Sequence, residues 1–153
     1  PFFDAVLLGE GEEAVGEIVD EYKRSKREGL SRWATLEALA RVPGVYVPSL
    51  YDVEYRADGK IARIVPTSPA AAYPVRKRVV KDLGAVPFPD KFVVPFAEVI
   101  HDRIMLEVFR GCTHGCRFCQ AGMVYRPVRE RDPTTFASSR GDSSRTRATR
   151  RYR

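Results

Sequence analysis

Cys112-Thr113-His114-Gly115-Cys116-Arg117-Phe118-Cys119 holds all three cysteines of the 153-residue chain, spaced C-x3-C-x2-C. The run before it, Ile104-Met105-Leu106-Glu107-Val108-Phe109, is apolar and contains β-branched and aromatic residues. Its length and composition predict a buried strand. Gly111 then breaks the run and releases the chain into a loop. Three thiols are therefore expected together on a tight loop at the end of a buried strand. Thiolates packed that closely repel one another unless a metal holds them.

Three chemistries compete for this trio. A disulfide framework is disfavoured, because the count is odd, the spacing is local and nothing suggests export. A structural zinc site usually takes four ligands, commonly as paired C-x2-C units. The chain offers only His101 and His114 as a fourth ligand, and neither gives a familiar zinc spacing. An iron–sulfur cluster fits best. A cubane normally takes four cysteines, so three leave one iron without a protein ligand. An open coordination position is what a metal needs to bind a substrate or cofactor.

C-x3-C-x2-C with an aromatic residue before the last cysteine resembles the cluster loop of the radical S-adenosylmethionine (SAM) superfamily. The wider string Arg110-Gly111-Cys112 through Cys119-Gln120-Ala121-Gly122, followed by Tyr125-Arg126-Pro127-Val128-Arg129-Glu130-Arg131, carries the likeness further. It resembles a largely uncharacterised bacterial branch with a cobalamin-binding-like, Rossmann-like N-terminal region. The resemblance implies that Cys112, Cys116 and Cys119 hold a 4Fe-4S cluster whose open iron chelates SAM. One electron passed to the sulfonium would then yield a 5′-deoxyadenosyl radical. It also implies that the backbone around Phe118 contacts the adenine of SAM. An electron donor such as flavodoxin or ferredoxin is implied as a partner. RNA is one substrate class compatible with related families. Cobalamin is compatible but not indicated by any residue present. His114 lies between ligands and is expected to be a loop residue, because the neighbouring cysteines fill that side of a cluster.

Length favours one domain, yet only 34 residues follow Cys119. Several βα units, at about 30 residues or more each, do not fit there. The chain begins with Pro1, and a piece of a larger barrel protein, inactive alone, is the expectation. No apolar run approaches a membrane span of about 20 residues, and no signal peptide is evident at the start. A reducing, cytoplasmic setting is expected, with no membrane partner. The formal net charge of +6 is unevenly spread. Residues 134–153 contain six Arg and one Asp, so the preceding 133 residues carry only +1.

Asp4-Ala5-Val6-Leu7-Leu8 reads as a strand ending at Gly9, followed by a helix to about Arg27. Val15, Ile18, Val19 and Tyr22 form its expected buried stripe. Acidic residues at its start and basic ones at its end suit the helix dipole. A strand, a glycine turn and a helix start would suit phosphate, but Glu10, Glu12 and Glu13 would repel it. Gly9 and Gly11 are therefore read as a tight turn. Ser31 caps a second helix over Arg32 to Ala40, with Trp33, Leu36, Leu39 and Ala40 on its buried face.

Tyr51 to Arg56 and Ile61 to Val65 flank Ala57-Asp58-Gly59-Lys60, a strong hairpin signal. Tyr51, Val53 and Tyr55 alternate with charged residues, so one face should be exposed. Prolines 66, 69 and 74 mark a connector carrying the basic cluster Arg76-Lys77-Arg78, read as solvated charge with phosphate or RNA contact as a minority alternative. Val79 to Leu83 is a candidate short strand. Prolines 87, 89 and 95 then exclude long regular structure. After Cys119, Gln120 to Val124 should be briefly helical and Arg126 to Arg131 extended.

Asp132-Pro133 has the form of a helix start, but no apolar stripe follows. From Thr134 to Arg153, fourteen of twenty residues are Arg, Ser or Thr, and lysine is absent. A frameshifted coding end is the favoured explanation, and a disordered nucleic-acid-binding tail its rival.

The expected class is α/β. Residues 1–42 form the end of a Rossmann-like domain, 43–99 a hairpin and proline-rich connector, 100–133 the first strand and cluster loop of a partial (β/α) barrel, and 134–153 a disordered tail. The alternative from another class is a non-catalytic zinc- or RNA-binding protein with a basic tail.

Overall fold

A computed structural model describes residues 2–86 and 107–134, and the chain divides into two units, Pro1–Val80 and Lys81–Arg153. In the first unit, β1 (Val6–Leu7) leads through Gly9 into α1 (Ala14–Arg27). Next comes α2 (Arg32–Ala40), where the Ser31 hydroxyl accepts a hydrogen bond from the Ala34 N–H at 3.2 Å, as expected of a cap. β2 (Val45–Tyr46) returns antiparallel to β1, with Val6 opposite Tyr46 and Leu7 opposite Val45. A 3-10 turn at Pro48–Leu50 then feeds β3 (Tyr51–Tyr55), which pairs with β4 (Ile61–Pro66) as an antiparallel hairpin. Gly59 supplies the positive φ that the hairpin turn requires.

The core of this unit gathers Leu36, Leu39 and Ala40 of α2 with Val45, Val47, Leu50, Tyr51, Ala70 and Ala71. Tyr51 is the pivot. Its ring stacks at 4.9 Å on Tyr46, and its hydroxyl donates to the Ala72 carbonyl at 2.6 Å. That bond fixes the chain beyond the hairpin against the core, and burial pushes the Tyr51 hydroxyl pKa up.

In coarse terms the α/β expectation holds, as helices with small antiparallel sheets. All three ladders among the described residues are antiparallel. Parallel pairing is limited there to a single bridge between Gly9 and Arg78. The described residues therefore show neither a Rossmann arrangement nor a barrel, both of which are built from parallel strands.

Several local expectations need correction. The stripe Val15, Val19 and Tyr22 is exposed on α1, while Ala14 and Ser25 are fully buried. Positions 14, 18, 21 and 25 form the adjacent stripe on the same helix, and Ile18 lies close to both. α1 packs on α2. Trp33 is also exposed, at 51%, while Leu36 and Leu39 on the same helix are buried. In the hairpin, Val53, Tyr55 and Ile61 are exposed, while Ile64, Val65 and Pro66 of β4 are half-buried.

Val79 to Leu83 forms no strand. The prolines 87, 89 and 95, residues 104–106 of the predicted strand, His101 and the tail beyond Thr134 lie outside the described residues. No described helix is long and apolar enough to cross a membrane.

Candidate metal centre

In the second unit, β5 (Phe109–Arg110) pairs antiparallel with β6 (Arg129–Glu130), so that Phe109 faces Glu130 and Arg110 faces Arg129. This ladder brings together the two ends of residues 111–128, the segment that carries every cysteine. An ion-pair group sits at its base. Glu107 accepts from Arg110 Nε at 2.8 Å and from its Nη2 at 2.9 Å, a bidentate fork. The guanidinium of Arg131, whose side chain is 4% exposed, lies 3.7 Å from Glu107. The Arg131 N–H donates to the Val108 carbonyl at 2.9 Å and extends the ladder. Hydrogen bonding from Arg110 holds the Glu107 carboxyl below the usual glutamate range, against the opposing effect of burial.

The predicted buried strand is not seen in its described portion. Val108 and Phe109 are 49% and 58% exposed. The apolar pattern pointed to a strand, and a short one is there.

Two glycines shape the loop. Gly111 has φ +98°, and a Cβ there would lie 2.6 Å from the Tyr125 carbonyl oxygen and 2.7 Å from that of Pro127. The returning chain therefore lies directly against the entry to the cysteine segment. Arg129 reinforces this return, donating from Nε to the Pro127 carbonyl at 3.0 Å and from Nη2 to Tyr125 at 3.3 Å. Gly122 sits in α3 (Ala121–Val124), the short helix expected after Cys119. A Cβ on Gly122 would stand 2.7 Å from the His114 carbonyl oxygen. The helix is thus laid across the backbone between the first two cysteines.

All three cysteines are free thiols. Cys116 is exposed, and Cys112 and Cys119 are half-buried. Cys116 and Cys119 are joined by a turn in which the Cys119 N–H donates to the Cys116 carbonyl at 3.1 Å. Cys112 Sγ lies 3.8 Å from His114 Nδ1. Phe118 is 92% exposed. Among the described residues, no three Cys, His, Asp or Glu side chains converge as a metal-holding group. The donor set itself fits a cluster: three soft thiols, all unbridged, share one folded loop. Thr113, His114, Gly115 and Arg117 between them are exposed.

Residues 1–48 match the family model described as radical SAM proteins, N-terminal. No curated protein and no solved structure matches the chain. The match runs from β1 through β2 into the 3-10 turn and stops well short of the cysteines. It supports a relation to the radical SAM superfamily, and so to a superfamily of enzymes.

Within that N-terminal stretch, the strand-to-helix turn is filled by the chain itself. Gly9 has φ +102°, and a Cβ on it would lie 2.2 Å from the Arg78 carbonyl oxygen. The Arg78 N–H donates to the Leu8 carbonyl at 2.8 Å, and the Glu10 N–H to the Arg78 carbonyl at 3.1 Å. The Arg78 guanidinium reaches Glu17 at 2.7 Å and Glu13 at 3.2 Å. The Arg78 backbone lies directly against Gly9, which agrees with the tight-turn expectation there. The same contacts correct the solvated-charge expectation for the basic cluster at Arg78. Glu107, Arg131 and Gly122 lie in the stretches quoted from the sequence, but their packing roles there were not foreseen.

Proposed function

We propose that this chain carries the cluster loop of a radical SAM enzyme, with Cys112, Cys116 and Cys119 as the three protein ligands of a 4Fe-4S cluster. One observation carries the proposal. The matched family region, residues 1–48, and the cysteine loop are separate stretches of the chain, and each points to the same superfamily. The chemistry that a bound cluster supplies is one-electron reduction of the SAM sulfonium, which releases a 5′-deoxyadenosyl radical.

The residues of the chain have the supporting tasks. The β5–β6 ladder and the Glu107–Arg110 fork hold the loop ends together. Gly111 and Gly122 let the loop fold on itself, and the three unbridged thiols lie on that one loop. The backbone at exposed Phe118 is the proposed contact for the adenine of SAM. Residues 100–133 would begin the radical SAM core, a partial barrel, and the cobalamin-binding-like comparison for residues 1–42 is not needed for this reading. A small one-electron donor such as flavodoxin or ferredoxin, in a reducing cytoplasm, completes the proposal. The substrate stays open, with RNA as one class.

Anaerobic reconstitution with iron and sulfide tests the ligand set. The wild-type chain should acquire the absorption of a 4Fe-4S cluster, and each of Cys112→Ala, Cys116→Ala and Cys119→Ala should lose it, because two thiolates hold a cubane poorly. SAM added to the reduced cluster should change its EPR spectrum. One bound zinc without sulfide would replace this proposal with the zinc- or RNA-binding alternative.

A further inference from the structure

We infer that Cys116 and Cys119 are a dithiol modification site, oxidised to an intramolecular disulfide by low-molecular-weight disulfides of the glutathione class. Four observations support the pairing. The turn from Cys116 to Cys119 is closed by a backbone hydrogen bond of 3.1 Å. Such a turn brings its end Cα atoms within roughly 7 Å, overlapping the roughly 4.4–6.8 Å span of disulfides. Both sulfurs are free, one exposed and the other half-buried. Arg117 and Phe118 between them are exposed, so closure breaks no packing. Cys112 lies outside that turn, with its Sγ 3.8 Å from His114 Nδ1.

The exposed Cys116 is the attacking group. Its thiolate, formed by loss of the thiol proton to solvent, attacks one sulfur of the oxidant. The oxidant S–S bond breaks, and one thiolate leaves and takes up a proton. Cys119 then gives its proton to solvent and attacks Cys116 Sγ in the mixed disulfide, expelling the second small thiolate. The protein dithiol loses two electrons, and the small disulfide gains them as two thiols. Both sulfurs are also proposed cluster ligands. Where that proposal holds, the disulfide and the cluster exclude each other, and a reducing dithiol restores the capacity to load.

The test treats the iron-free, fully reduced 153-residue chain with oxidised glutathione, alkylates the remaining thiols and maps the products by mass spectrometry. The expected product has lost two hydrogens, joins Cys116 to Cys119 and is alkylated at Cys112. Cys112→Ala should oxidise at the same rate, and Cys119→Ala should stop as a glutathione adduct on Cys116. A major crosslink through Cys112, a persistent wild-type adduct on Cys116 or three alkylated thiols would overturn the assignment.

A second measurement follows iron and sulfide uptake before and after oxidation. Uptake by the reduced chain alone, recovered with dithiothreitol, supports exclusion, whereas equal uptake by both forms overturns it. Failure of the reduced chain to load would remove the cluster reading and leave the mapped disulfide standing.

Discussion

Gly122 in α3 approaches His114 so closely that a β-carbon at position 122 would lie 2.7 Å from the His114 carbonyl oxygen. Helix propensity and packing oppose each other there. Alanine in place of glycine should favour the helix by about 1 kcal/mol, while overpacking against backbone costs about 1–3 kcal/mol. Packing should win, since the obstructing atom is main chain and cannot swing away. Gly122→Ala is therefore expected to loosen the loop and to slow iron and sulfide uptake severalfold, with all three thiols intact. Faster loading by the variant would show that the contact is absent.

Glu107 predicts a pH response. Its pKa is lowered in the folded chain, chiefly by hydrogen bonds from Arg110. The unfolded chain therefore binds the proton first as pH falls. The contribution to stability is complete above the ordinary glutamate value of 4.5 and disappears as pH drops through the lower folded value. The side chain is 31% exposed, so solvent screening limits the effect to about 1 kcal/mol. Amide exchange at Arg131, which bonds across the ladder to Val108, gives the readout. Protection corrected for intrinsic rates should fall below this pH in wild type, with little change in Glu107→Gln. Identical profiles would contradict the fork.

Local signals in the sequence were the legible ones. Ser31 capped its helix, Asp58-Gly59 turned its hairpin, and Gln120 to Val124 gave a short helix, because each depends on neighbours within a few residues. The buried face of α1 was not legible. Val15, Val19 and Tyr22 have the right period, but the buried residues are Ala14 and Ser25 on the adjoining stripe. Gly9 gave a turn, whereas its partner Arg78 lies 69 positions away and no local pattern links them. In the cysteine loop, spacing showed the donors. The clasp of Glu107 with Arg110 and Arg131 had no such signature, since charged residues on short strands ordinarily face water.

Trp33 offers an optical check. It is the single tryptophan and is 51% exposed on the first turn of α2. Its fluorescence should be red-shifted in the folded chain and readily quenched by acrylamide. Trp33→Ala should change stability by no more than about 0.5 kcal/mol, as expected for surface positions. A blue-shifted, protected signal would return Trp33 to the core.

Gly9 and Arg78 allow backbone and side-chain effects to be separated. Their main chains exchange two hydrogen bonds across the strand end, through Leu8 and Glu10. Gly9→Ala meets two independent obstacles, a φ of +102° and a β-carbon 2.2 Å from the Arg78 carbonyl oxygen. Strain of about 1–3 kcal/mol from the dihedral and a similar cost from overpacking together make this substitution severe. The Arg78 ion pairs present a different case, because Glu17 and Glu13 are 43% and 66% exposed. Pairs of this kind contribute about 0–1 kcal/mol. Urea unfolding should thus give a midpoint far lower for Gly9→Ala than for Glu17→Gln, with Arg78→Ala between them through the loss of its packed stem. Adding salt should weaken wild type slightly and leave the Gly9→Ala deficit nearly unchanged, since sterics are not screened. A Gly9→Ala midpoint equal to that of Glu17→Gln would mean that the two main chains do not meet.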